Sequence, residues 1–184
     1  RISPRCALEK VNTVMRAIVV TTGRTIAPFG DPPDAMPFAD TRMGAERSAV
    51  LAALGIDEVR VHGDDPLPSV GDDMLLFPDH CFFTRAMLKG FLRCCANVSA
   101  PMRAALCHTP ASSYLRPVSS VSVEQFDDVG LGAKPRRCRG PDTLATERIA
   151  YDLFFLPAAT IGQHGNAKSA LEKLRASAGR AVVK

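Results

Sequence analysis

The sequence predicts an α/β fold, a three-layer sandwich with a mainly parallel sheet. Short apolar segments typical of buried strands alternate along the chain with segments of helical periodicity. Between residues 43 and 61 a helix, a glycine and a strand follow one another directly, as in half of a β-α-β unit. The composition, 46% hydrophobic and 23% charged, is ordinary for a globular domain with a buried core.

The first element is a buried strand in RAIVVTTGR, residues 16–24, where β-branched residues dominate. Gly23 marks the turn that ends this strand. The following segment, TIAPFGDPPDAMPF, contains four prolines, which exclude long regular structure. We therefore predict an irregular loop between the first strand and the next element.

The second element is a helix in ADTRMGAERSAVLAALG, because its larger apolar residues recur at helical spacing. Gly55 is a natural C-terminal cap for it. A second strand follows, in which Ile56, Val59 and Val61 alternate with polar residues. Because a helix joins them, the first two strands are predicted to be parallel, and the third strand, at residues 74–77, is predicted to lie parallel to both in the same sheet.

The third strand, Met74 to Phe77, stops at Pro78-Asp79-His80, and an amphipathic helix then runs from Thr84 to about Arg93. A buried strand that ends on an acid and turns into a helix commonly presents a carboxylate in α/β proteins. Further strands are predicted at residues 102–108 and in RIAYDLFFLPA, with VSSVSVE as an exposed or edge strand between them.

These elements predict one domain over residues 15–160, with a loop at 127–146 and an N-terminal extension at 1–14. Residues 161–184 form a basic helical tail, whose narrow apolar stripe we expect to dock on the domain or on a partner. The chain begins at Arg1, as a fragment or a processed product would.

Composition also excludes several functional classes. Aromatic residues make up 6% of the chain and are not interleaved with its basic residues, which disfavours a nucleic-acid platform. No apolar run approaches the roughly 20 residues of a transmembrane helix. The six cysteines form no C-x-x-C pair. We expect free thiols in a reducing intracellular compartment, the cytoplasm or alternatively the mitochondrial matrix.

The order of elements resembles that of the sugar-phosphate nucleotidyltransferases, the nucleotide-sugar pyrophosphorylases, over roughly residues 17–93. AIVVTTG with its glycine-arginine pair is similar to the family's first strand and G-x-G-T-R loop. VLAALGIDEVRV is similar to its helix-and-strand unit, and MLLFPDHCFFTRAMLKGFL to its metal-binding strand and following helix. The resemblance implies a nucleotidyltransferase-like fold, with Gly23 and Arg24 toward the nucleotide and Asp79 toward magnesium.

Two departures from the family pattern predict a degenerate member. Thr21 and Thr22 stand where further loop glycines would let main-chain N–H groups approach phosphate oxygens. Asp34 stands where the family has a lysine that neutralises the sugar phosphate. At about 4 Å, a like-charge pair costs about 1 kcal/mol in water and about 4 kcal/mol at an effective dielectric of 20.

We therefore expect an inactive domain that acts as a structural subunit with protein partners in a larger assembly. Nucleotide or sugar phosphate is a further candidate ligand. The alternative is an active, magnesium-dependent sugar-phosphate nucleotidyltransferase, in which Asp79 holds the metal and Arg24 stabilises charge on the phosphates.

Each candidate side chain also has a simpler interpretation. Asp79 is either a magnesium ligand or a strand-end acid that hydrogen-bonds a loop. His80 is a second ligand or a turn residue, and Asp152 a second metal acid or a locally paired one. The acid pairs at 64–65 and 72–73 lie in loops, where aspartate is favoured for turns alone.

Overall fold

A computed structural model describes residues 15–26, 28, 30–68, 71–96, 98–109, 112–122, 136–138, 146–161 and 165–176. The strands within these residues are β1 Arg16–Thr21, β2 Pro37–Phe38, β3 Thr41–Arg42, β4 Asp57–His62, β5 Met74–Pro78, β6 Met102–Thr109, β7 Ser112–Ser122, β8 Arg136–Cys138 and β9 Thr146–Leu156. The helices are α1 Met43–Ala52, α2 Arg85–Cys95, α3 Ala158–Ile161 and α4 Ala167–Ala176, with a 3-10 turn at Pro33–Ala35.

The main sheet has the order β4-β1-β5-β9-β6-β7, and β8 pairs with β9. β1 pairs in parallel with β4 and with β5, which confirms the predicted parallel arrangement of these three strands. β5 and β9 are antiparallel, as are the pairs that join β6, β7 and β8 to the sheet. The α/β class is confirmed and the sheet is mixed, with parallel pairing limited to β4-β1-β5.

Connection length explains this division of the sheet. Parallel neighbours need a crossover of a dozen or more residues, and α1 provides one between β1 and β4. Only residues 110 and 111 separate β6 from β7, so these strands can pair only as an antiparallel hairpin. β7 lies at the end of the strand order, in agreement with the edge strand predicted there.

Alternate residues of the central strands feed two cores on opposite faces of the sheet. Ala17 and Val19 of β1 face the core that contains α1 and α2. Ile18 and Val20 face the core that contains α4. The structure therefore has the three layers that the sequence predicts, with helices on both sides of the sheet.

The C-terminal helix belongs to the domain rather than to a separate tail. Ala170, Leu171 and Leu174, the predicted apolar stripe of α4, are buried against the sheet. Docking on the domain is thus the alternative that the structure supports for residues 167–176. The strand β8 lies within the predicted 127–146 loop, and the predicted 1–14 extension lies outside the described residues.

The helix cap predicted at Gly55 is present, and Thr84 provides a further cap. Gly55 has a φ of 69°, and its N–H donates to the Ala52 carbonyl at the end of α1. At the start of α2 the Thr84 hydroxyl accepts a hydrogen bond from the Met87 N–H at 3.2 Å. Among the described helices, none is long and apolar enough to cross a membrane.

The thiols that can be described agree with the expectation in part. Cys81 and Cys94 are not in disulfides. Burial raises the pKa of Cys81 to about 12, so this thiol stays protonated at neutral pH. Cys6 and the side chains of Cys107 and Cys138 lie outside the described part of the chain.

Candidate functional site

The candidate site lies where β1 and β5 end side by side. Both neighbours of β1, the strands β4 and β5, follow it in the chain, so the strand order reverses at β1. Open α/β sheets bind ligands outside the carboxyl ends of their strands at such a reversal. Asp79 directly follows β5, and Thr22 directly follows β1. The structure therefore brings these two residues to the edge where a ligand site is expected.

The carboxylate of Asp79 is held by Thr22. The Thr22 hydroxyl donates to Oδ1 at 2.7 Å, and the Thr22 N–H donates to Oδ2 at 3.1 Å. The Asp79 N–H donates in turn to the Val20 carbonyl at 2.9 Å. With 4% of its surface exposed, Asp79 joins the ends of two neighbouring strands in the manner of a loop-binding strand-end acid.

His80 lies beside this carboxylate, with its Nδ1 3.6 Å from Oδ1 of Asp79. Burial alone would raise the pKa of Asp79, but interactions with His80 and hydrogen bonds from Thr22 outweigh it and lower the pKa below its usual value. The carboxylate is thus charged at neutral pH. Neither ring nitrogen of His80 has a hydrogen-bond partner among the described residues.

Arg47 of α1 is a central residue that the sequence analysis missed. Its side chain is 1% exposed, and Nη1 donates to the Asp79 carbonyl at 2.7 Å. Its guanidinium carbon lies 5.6 Å from the centre of the Phe77 ring. The available signal was its spacing, because Arg47 stands three and four residues before Val50 and Leu51 on the buried face of the helix.

The structure alters the expectation for Asp34. Its Oδ1 lies 2.8 Å from Nη2 of Arg47, and its other oxygen accepts a hydrogen bond from Arg60. Arg60 also lies 3.0 Å from Glu58, so two arginines and two acids balance one another. Asp34 is therefore an ion-paired carboxylate, and it does not stand as the isolated repulsive charge that the sequence suggested.

Arg60 of β4 is the outer member of this cluster, with 48% of its side chain exposed. Burial lowers the pKa of its guanidinium, but Asp34 and Glu58 outweigh burial and raise it. Glu58 accepts a further hydrogen bond from the Ser48 hydroxyl at 2.5 Å. The cluster thus ties α1, β4 and the loop after β1 together.

The nucleotide-loop residues lie at the surface after β1. Gly23 has a φ of 67°, a conformation that favours glycine, and it is exposed. The Arg24 N–H donates to the Thr22 hydroxyl at 3.4 Å. The Arg24 side chain is exposed and contacts no charged partner within the described ranges.

The other candidate acids have local partners. Asp152 accepts hydrogen bonds from Arg103 at 2.6 Å and from Arg175 at 2.7 and 2.9 Å, which supports local pairing. Asp65 accepts a hydrogen bond from the nearby His62 N–H, as turn chemistry predicts. Asp73 instead accepts one from the Ala158 N–H at the start of α3, a contact between distant parts of the chain. In the part of the chain that the structure describes, no group of three or more His, Cys, Asp or Glu side chains could hold a metal.

Comparisons with known proteins add no family to this description. No protein-family model matches the sequence, and no curated protein matches it at a significant level.

Proposed function

We propose that this chain is a degenerate nucleotidyltransferase-like domain without catalytic activity, which acts as a structural subunit of a larger assembly. The main support for this proposal is that Asp79 is buried and hydrogen-bonded within the fold. Both of its carboxylate oxygens accept hydrogen bonds from Thr22, and the residue is 4% exposed. These bonds use two of the roughly four lone-pair sites of the carboxylate, and its burial leaves little room for a magnesium ion with its octahedral shell.

The charges around the site support the same proposal. A nucleotide loop needs uncompensated positive charge or exposed N–H groups toward the phosphates. Arg47 and Arg60 are paired with Asp34 and Glu58, so this cluster has a net charge of zero. In the loop after β1, Arg24 is therefore the cation that could contact a phosphate. One exposed arginine provides little binding in water.

The buried cores of the domain and its exposed surface residues support an assembly role. The two cores are built of buried side chains, whereas the Asp79 carboxylate and the Asp34 carboxylate are bound to other residues of the fold. Phe38 is the large hydrophobic side chain that stands exposed among the described residues, at 40%. We assign protein contacts to the loops and to the basic C-terminal segment.

The alternative is an active magnesium-dependent nucleotidyltransferase, and two observations favour it. Asp79 is charged and lies at the reversal of the strand order, where α/β sheets bind ligands. Neither ring nitrogen of His80 has a hydrogen-bond partner in the described part of the chain, and Nδ1 lies 3.6 Å from the Asp79 carboxylate. In this alternative Asp79 holds magnesium and Arg24 stabilises the phosphates while a sugar-phosphate oxygen attacks the α-phosphorus.

Two measurements separate these functions. Pyrophosphate release is followed with each of the four common nucleoside triphosphates, magnesium and a panel of sugar 1-phosphates. The proposal expects no turnover above a blank, whereas turnover that disappears in Asp79→Asn would establish the enzyme. Gel filtration of the native protein from its own cells tests the assembly role, since elution at the mass of a single chain would contradict it.

A further inference from the structure

The segment between β1 and α1 contains a strap, which we define as residues 33–42. The strap consists of the 3-10 turn Pro33–Ala35 and the hairpin of β2 and β3. It is closed at its base by a hydrogen bond from the Met43 N–H to the Met36 carbonyl at 2.9 Å. Residues 37–42 are all exposed, so the hairpin itself contributes little to the core.

The hairpin of the strap is attached to the domain through an aromatic contact. The centre of the Phe38 ring lies 4.6 Å from the centre of the Phe82 ring. Phe82 belongs to the segment after β5. Phe82 is fixed in turn by Tyr151 of β9, whose hydroxyl donates to the Phe82 carbonyl and accepts from its N–H. The hairpin therefore packs on a residue that is held in place by hydrogen bonds, beyond the carboxyl end of β5.

The other attachment is Asp34, which lies between Arg47 and Arg60. One carboxylate oxygen faces each guanidinium, and Nη1 of Arg47 reaches the Asp79 carbonyl. Gly44 makes this approach possible, because a Cβ there would lie 3.0 Å from Asp34 Cβ. Asp34 thus occupies the place that an external oxyanion would take between two arginines.

Arg47 depends on this carboxylate. It is 1% exposed, and the other acid near it, Glu58, has its Oε1 3.9 Å from Nη2. If the strap moved away, Arg47 and Arg60 would face Glu58 alone and leave a net charge of +1. A buried guanidinium without a close acid is unfavourable, so the opened state would attract an anion.

We infer that Arg47 and Arg60 form an oxyanion-binding pair, for phosphate or carboxylate, which Asp34 of the strap occupies in the closed state. The strap is then an internal competitor for that anion. The inference goes beyond the proposed function, because it concerns Arg47 and Arg60 and does not depend on magnesium at Asp79.

The test uses Asp34→Ala in the full chain, with Asp57→Ala as the matched control. Asp57 is an exposed acid of β4 without an ion pair to a described residue. Hydrogen exchange of peptides from the strap should accelerate about tenfold or more in Asp34→Ala, while peptides from β5 stay protected. Asp57→Ala should leave both unchanged.

The anion itself is probed with inorganic phosphate against sodium chloride at matched ionic strength. Phosphate should raise the Tm of Asp34→Ala, and this rise should disappear in Asp34→Ala with Arg60→Gln. The wild type should show no phosphate-specific rise. If Asp34→Ala does not fold, Asp34→Asn keeps the side-chain shape and serves instead. Unchanged strap exchange, or a phosphate response equal to that of the wild type, overturns the inference.

Discussion

Thr22 gives Asp79 two hydrogen bonds, one from its hydroxyl to Oδ1 at 2.7 Å and one from its N–H to Oδ2 at 3.1 Å. The two residues are 57 positions apart in the chain and meet because β1 and β5 are parallel neighbours. This contact decides how the carboxylate at the candidate site is used.

Thr22→Val should destabilise the protein, because it removes the hydroxyl donor while leaving the shape and the N–H in place. A hydrogen bond to a charged, buried group contributes about 1.5–3 kcal/mol, and this is the expected loss in the free energy of unfolding. Urea denaturation measures it. Thr25→Val, at an exposed position of the same loop, is the control. Equal stability of the two variants would show that the bond contributes nothing.

The stability of the protein should depend on pH through Asp79. Its pKa is lowered in the folded state, so the carboxylate contributes stability above its unfolded value of about 3.9. That contribution is lost as the pH falls from about 3.9 through the folded pKa. Urea denaturation of wild type and Asp79→Asn between neutral and acidic pH measures the difference. The gap between them should narrow in acid, and a constant gap would contradict the assignment.

Asp34→Lys should unfold the strap rather than restore a phosphate site. The sequence alone suggests that lysine here adds attraction for a phosphate, but in the structure it would be a third cation beside Arg47 and Arg60. Each such contact at about 4 Å costs about 4 kcal/mol at an effective dielectric of 20. Thermal unfolding should show a large loss relative to Asp57→Lys. Comparable stability of the two variants would mean that the ion pairs are unimportant.

Ala39→Gly should stabilise the hairpin of the strap. Ala39 has a φ of 49°, in the left-handed region that costs a residue with a Cβ roughly 1–2 kcal/mol. The greater unfolded-state entropy of glycine offsets part of this, which leaves a gain of up to about 1 kcal/mol. Ala86→Gly, in the exposed first turn of α2, should instead lose about 1 kcal/mol. Denaturant unfolding that shows a loss in both variants would be the contrary result.

The sequence predicted the parts of the fold that depend on local patterns. The apolar runs at β1 and β5 and the alternation at β4 predict strands, and Gly55 and Thr84 predict helix ends, because each signal lies within a few residues. The antiparallel position of β9 depends instead on pairing between distant residues, such as Met74 with Leu156. No local pattern carries that information.

The position of the candidate site could be predicted from the sequence, but the partners of its side chains could not. Asp79 follows a buried strand, and a strand end can be read from the sequence. Its partner Thr22 and the pairing of Asp34 with Arg60 join residues far apart in the chain, so they depend on the register of β1 with its neighbours. Arg47 could have been suspected, since a charge on an apolar helix face needs buried partners.

Isothermal titration calorimetry of nucleoside triphosphate with magnesium, on wild type and Asp79→Asn, measures whether Asp79 binds magnesium together with a nucleotide. Because Asp79 is buried and hydrogen-bonded to Thr22, both proteins should bind weakly and alike, with a Kd above roughly 1 mM, or less than about 4 kcal/mol of binding free energy. Micromolar, magnesium-dependent binding by the wild type that Asp79→Asn abolishes would contradict the account and establish a functioning metal site.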